Sequence, residues 1–264
     1  MQRELIHIYG PFSIYSYGLA IAVGLALIVW LIQNHPKFSR LNLQDHFTSI
    51  VSIGILSGLF GGRLLYTLSE SDGATTVLDF FAYWQGGFSV LGCILGVTLA
   101  LPLWLRYCKI PVLPFLDLLA IFAPLLQGIS RIGCFCAGCC YGLPTNLPWA
   151  VMYTDLDSSA PLGVYIHPTQ LYSTAILLCI FALFYCVLQY RLVKPGQLFS
   201  AYLVCASLER FTVDFWRADR TFFDNPFYAF FSINQWVALG IMAGAVIAFV
   251  FFTQRAKKLS HEYI

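Results

Sequence analysis

The sequence predicts an all-α integral membrane protein of seven transmembrane helices, with its N-terminus outside and its C-terminus in the cytoplasm. Three observations predict it. The 264 residues are 59% hydrophobic and only 11% charged, against roughly 25% charged in soluble domains, and the mean hydropathy is +0.73. Residues 5–36, 158–190 and 225–254 contain no Asp, Glu, Lys or Arg, and each run is long enough for a span of about 20 residues. The basic residues of the remaining loops are segregated by side, as the positive-inside rule requires.

The elements follow in order. The first span is expected over 14–32, an apolar run with no small-residue cleavage site after it, so it reads as a permanent helix. The next are expected over 47–69, 86–105 and 114–129. From 134 to 166 the chain turns irregular, with Gly-Leu-Pro-Thr, Leu-Pro-Trp and Ala-Pro-Leu-Gly, and predicts an extracytoplasmic arm. Pro168 suits the first turn of a fifth span over 168–190, since its missing N–H costs nothing there. Spans over 196–210 and 232–253 complete the set within one transmembrane domain, 1–264. Lys37, Arg40, Arg106, Lys109, Arg191, Lys194, Arg255, Lys257 and Lys258 follow the odd-numbered spans, which makes their side cytoplasmic. The other side carries Glu4, Glu70, Asp72, Asp79, Asp155, Asp157 and Asp224, with arginines but no lysine. Basic residues confined to short loops give no nucleic-acid footprint.

Four of the outer arginines, Arg63, Arg131, Arg210 and Arg217, lie in or beside spans. Such residues are expensive at membrane depth and mark functional sites by default. Each alone could snorkel to the interface; four on one leaflet side favour a shared anion, which in a bilayer is a phospholipid phosphate. Arg131 opens the densest motif, Arg-Ile-Gly-Cys-Phe-Cys-Ala-Gly-Cys-Cys-Tyr-Gly, ending at Gly142. Its cysteines, Cys134, Cys136, Cys139 and Cys140, admit several readings. They could pack as small hydrophobes, bridge as 134–139 or 136–140, take part in catalysis, or bind a metal, although the usual second ligand pair is missing downstream. The other five cysteines are scattered, unlike a secreted disulfide framework.

This motif resembles the signature of the prolipoprotein diacylglyceryl transferases, Gly-Arg-x-Gly-Asn-Phe-x-Asn-x-Glu-x-x-Gly. The resemblance runs along most of the chain. Tyr17-Gly18, Gly61-Gly62-Arg63-Leu64-Leu65-Tyr66, Gly86-Gly87-Phe88-Ser89, Asp117 with Ala123-Pro124, His167-Pro168-Thr169-Gln170-Leu171-Tyr172, Arg210-Phe211 and the segment Asp214 to Asp219 are each similar to family motifs. Four family positions differ: Leu91 stands where the family has His, and Cys134, Ala137 and Cys139 stand for Asn, Asn and Glu.

The resemblance implies transfer of a diacylglyceryl group from phosphatidylglycerol to a lipobox cysteine thiol, with glycerol phosphate leaving. It also implies a multi-pass protein of the bacterial inner membrane, working towards the outer leaflet on a prolipoprotein signal peptide. A relative with a changed acceptor, a lipid-binding paralogue and a thiol–disulfide protein are the alternative readings. Arg131 and Arg217 are expected to clamp the phosphate, because a planar fork suits it and strengthens as the leaving group gathers charge. Arg63 and Arg210 are the next candidates, either one being able to pair instead with Asp117, Glu209 or Asp214. Gly142 and Gln170 complete the expected headgroup contacts. With Leu91 unable to take a proton, the candidate bases are His167, Asp219, Tyr17 and a thiolate at Cys139, and Cys139 could also act as a covalent lipid carrier. No cofactor or metal is required by this scheme, and a monomer is expected.

Overall fold

The computed structural model describes residues 4–9, 12–70, 80–81, 87–224 and 229–262. Asp72, Asp79 and Gly86 lie outside the described residues. Among those described, two short strands, β1 (Glu4–Tyr9) and β2 (Phe12–Tyr15), precede the helices α1 (Ser16–Gln33), α2 (Pro36–Arg40), α3 (Phe47–Glu70), α4 (Val90–Tyr107) and α5 (Val112–Ala137). Two strands of two residues, β3 (Val151–Met152) and β4 (Tyr165–Ile166), are followed by α6 (Thr169–Leu183) with a π turn at Phe184–Leu188, then by α7 (Gln197–Asp214) and α8 (Ile233–Glu262).

Among the described residues, six helices are long and apolar enough to cross a membrane: α1, α3, α4, α5, α6 with its π-turn extension, and α8. The seventh expected crossing, α7, falls outside that set. Its residues Gln197, Ser200, Ser207, Glu209 and Asp214 are polar and buried, and it packs against α8 and α6. A helix whose polar stripe faces protein need not be apolar all round. Two boundaries also move. The first helix starts at Ser16, because Phe12–Tyr15 is strand. The fourth runs on to Ala137, so Cys134 and Cys136 ride on α5 and the arm begins only at Gly138.

The residues group into two compact units. In the unit holding 34–115, α3 and α4 meet backbone to backbone: a Cβ on Gly61 would sit 2.4 Å from the Gly92 carbonyl oxygen, and one on Gly96 2.2 Å from that of Ser57. Small residues allow this close approach where no hydrophobic effect drives helices together.

In the unit holding 13–33 and 116–264, a similar approach joins α1 to α5. A Cβ on Gly133 would meet Ala20 Cβ at 2.9 Å and Tyr17 Cα at 3.1 Å. At the other end of α5, Asp117 accepts the backbone N–H of Gly196 at 2.7 Å and of Phe199 at 2.8 Å. A carboxylate there satisfies orphan donors of α7 and complements its dipole.

Candidate functional site

The site is built where α5 ends. Gly138, at φ 74°, has the left-handed conformation that stops a helix. The Cys139 N–H then reaches back to the Cys134 carbonyl at 3.2 Å, a 6→1 bond that closes a Schellman turn. No side chain fits at Gly138, since a Cβ would lie 2.0 Å from Ser158 Oγ. Cys140 follows at φ 59°, also left-handed although it is not glycine, a conformation costing about 1–2 kcal/mol. The doubled-back chain brings the sulfurs of Cys134, Cys139 and Cys140 within 4.8 Å of one another. Cys136, on the same motif, does not join them. All nine cysteines are free, so neither sequence-expected bridge is formed.

Two residues opening α6 fasten this turn: Gln170 Nε2 donates to the Cys139 carbonyl at 2.7 Å, and Thr169 Oγ1 to that of Cys140 at 2.8 Å. Beyond it, residues 141–145 are stitched on both sides. The Gly142 N–H donates to His167 O and the His167 N–H to Leu143 O, while the Leu143 N–H reaches Trp216 O and the Ala218 N–H reaches Tyr141 O. Gly142 must be glycine for this, as its Cβ would fall 2.5 Å from both Cβ and O of His167. The arm carries a small core of its own, Tyr153, Ala160 and Ile166. The Tyr153 hydroxyl donates to the Phe135 carbonyl at 2.8 Å and so ties the arm to α5.

This double stitch sets Arg217 beside the thiols. Arg217 is buried and grips the Asp219 carboxylate in a fork, at 2.8 Å through Nε and 2.5 Å through Nη2, with the Cys140 sulfur also within its hydrogen-bonding reach. Hydrogen bonds from Cys134 and Cys139, and behind them the Arg217 and Arg131 guanidiniums, hold the Cys140 thiol well below the ordinary thiol range. The hydrogen bonds Cys139 makes to Cys134 and Cys140, with burial added, push the Cys139 thiol up. Cys139, the thiolate expected from the sequence, is therefore the harder of the two to ionise.

Arg210 lies within electrostatic range of Arg131 and Arg217, and Tyr17 is within range of Arg131 and the three thiols. Arg210 is paired with Asp214 at 3.4 Å across one helical turn. Arg131 is half-buried and makes no hydrogen bond or ion pair among the described residues. Arg63 belongs to the other unit, where it is buried and donates to the carbonyls of Phe80 at 3.3 Å and Gly87 at 2.8 Å. His167 is engaged: its Nδ1 lies 3.2 Å from the Tyr172 hydroxyl, which accepts the Trp149 indole N–H at 2.8 Å. Glu209 accepts the Ser173 hydroxyl at 2.5 Å, joining α7 to α6. The sequence offers Asp219 as a candidate base and Cys140 as one of four clustered cysteines; the structure instead pairs Asp219 with Arg217, and it sets Cys140 apart by a turn conformation that no spacing reveals.

A model of the prolipoprotein diacylglyceryl transferase family matches residues 3–251. Among curated relatives, the phosphatidylglycerol–prolipoprotein diacylglyceryl transferase of Clostridium tetani is 36% identical over 221 residues, covering 83% of this chain and 86% of its own. A second enzyme of that name from Clostridium perfringens is 31% identical over 254 residues, 94% of each chain, and one from Dehalococcoides mccartyi is 30% identical over 251 residues, 94% of this chain and 93% of its own. With the motifs of α1, α5 and α6 assembled around one turn and the match covering nearly the whole length, the chain belongs to the prolipoprotein diacylglyceryl transferase family.

Proposed function

We propose that this protein transfers a diacylglyceryl group from phosphatidylglycerol to the cysteine sulfur of a prolipoprotein lipobox and releases glycerol phosphate. The observation that carries the reading is that Arg131 and Arg217 both lie within electrostatic range of the Cys140 sulfur, with Arg131 making no hydrogen bond or ion pair among the described residues. Like charges gathered in this way call for an anion. A phosphate there would occupy Arg131 and the outer edge of Arg217, and its leaving oxygen would gain charge as the carbon–oxygen bond broke. The clamp therefore binds the transition state more tightly than the ground state.

The acceptor sulfur attacks the glycerol carbon directly. A two-step route through Cys139 would store the lipid as a thioether, from which a thiolate would have to leave saturated carbon. Tyr17 lines the site from α1, and His167 positions the 141–145 segment and Tyr172. Gly142 and Gln170 hold the turn's backbone. Arg210 and Arg63 act as structural arginines, through Asp214 and through the carbonyls of Phe80 and Gly87.

In this reading the single transmembrane domain crosses the inner membrane seven times, α7 included, as a monomer with the thiol turn and arm on the outer leaflet side. Purified protein in phosphatidylglycerol vesicles, given a lipobox peptide, should release glycerol phosphate and add a diacylglyceryl group to the peptide. Release without peptide modification would point to another acceptor. No release with any thiol would remove the transferase reading.

A further inference from the structure

The thiol turn is more elaborate than a phosphate clamp needs. We propose that Cys134, Cys139 and Cys140 bind one Zn²⁺ ion whose open fourth position takes the acceptor cysteine sulfur as a thiolate; this inference rests on the diacylglyceryl-transfer reading. The geometry is already close. At a Zn–S distance of about 2.3 Å, tetrahedral ligands stand about 3.8 Å apart, and the three sulfurs lie within 4.8 Å of one another.

The ligand carriers are fixed in the manner of a metal site. Cys134 sits on the last turns of a 26-residue helix, and Cys139 and Cys140 follow on a Schellman turn. The carbonyls of Cys139 and Cys140 are held by Gln170 and Thr169, the outer-shell support that orients ligands. Cys140 is kept left-handed at φ 59°, and that strain serves to aim its sulfur inward. The donor set is three sulfurs with no carboxylate or imidazole, which selects a thiophilic d¹⁰ ion over Mg²⁺ or Ca²⁺. A zinc ion with three thiolates carries one net negative charge, and Arg131 and Arg217 stand within range to balance it. Three protein ligands with a vacant fourth position is the arrangement of catalytic rather than structural zinc.

The vacancy answers a chemical need. The acceptor must attack as thiolate, and His167, beside the turn, is engaged with the Tyr172 hydroxyl. A thiol that joins the ion is deprotonated outright. The lipobox sulfur displaces a water from zinc, and its proton passes to bulk water. The sulfur then forms a bond to the glycerol carbon as that carbon's bond to the phosphate oxygen breaks, and the electron pair leaves with glycerol phosphate. The thioether product is neutral and binds zinc weakly, so it departs and water returns.

Cobalt tests this directly. Reduced, metal-free protein titrated with Co²⁺ should take up one ion per chain, with the visible bands of tetrahedral cobalt and a thiolate charge-transfer band. Adding the lipobox peptide without lipid should strengthen the charge-transfer band, whereas a peptide with serine for its cysteine should not. Cys139→Ser and Cys140→Ser should weaken cobalt binding more than about 100-fold, and Cys179→Ser should leave it unchanged. Absence of uptake by the unaltered protein overturns the proposal even if the serine variants fail to fold, and so does a spectrum indifferent to the peptide thiol. Metal-free protein that transfers lipid at the full rate also overturns it, while the diacylglyceryl reading stands. A cobalt site that takes the peptide thiol without any glycerol phosphate release from phosphatidylglycerol supports the metal site and removes that reading instead.

Discussion

Arg131 and Gly142 show how one side chain can carry a site. Arg131 is the guanidinium of the turn left without a partner among the described residues, so its removal should fall on the reaction and spare the fold. Arg131→Gln is expected to lower kcat/KM by about 100-fold or more with an unchanged melting temperature in detergent. Arg131→Lys should recover only part, because the ammonium keeps the charge and loses the fork. A fall in melting temperature with activity intact would reverse that assignment. Gly142 is the opposite case, since an added methyl would overlap His167 at 2.5 Å. Gly142→Ala should unzip residues 141–145 and abolish transfer, visible as rapid backbone hydrogen exchange at Leu143 and His167. Both residues were legible in the sequence through their motif. Cys140 was legible only as one of four clustered cysteines, because what sets it apart is a left-handed φ that the letters Cys-Cys do not announce.

Among the elements, the apolar helices were the easiest to read and α7 the hardest. A span in contact with lipid must be apolar over most of its surface, and hydropathy finds it. α7 instead buries Glu209 and Asp214 against its neighbours, where the Ser173 and Ser232 hydroxyls donate to them, so its hydropathy reports protein contacts. The N-terminal end of α7 depends on Asp117, which accepts two backbone N–H groups. Asp117→Ala should cost about 1–2 kcal/mol, measured as a lower denaturation midpoint, and Asp117→Asn should cost less. A neutral alanine variant would mean that the cap is satisfied by water. Helix ends were misjudged where capping decided them: α5 passed 129 and stopped at Ala137, because the left-handed residue that ends it is Gly138 rather than Gly128 or Gly133.

For the whole molecule, the membrane class and the family membership followed from composition and motif order, whereas the number of crossings turns on α7. If α7 crosses, the C-terminus is cytoplasmic and Asp157, in the arm, is external. A reporter fused after Ile264 should then be active only on the cytoplasmic side, and a cysteine placed at 157 should react with an impermeant reagent from outside. An external C-terminus would mean six crossings. The arrangement of arginines could be read only in part: three gather near the thiol turn, while Arg63 serves the other unit.

The Schellman turn makes residue spacing act as a ruler. One extra residue between Ala137 and Cys139 would break the register of the 6→1 bond and displace Cys139 and Cys140 relative to Cys134. The arm has slack at Leu156, which is 86% exposed. Insertion scanning should therefore find 137–142 intolerant of any change in length, and the tip near 156 open to added residues with transfer intact.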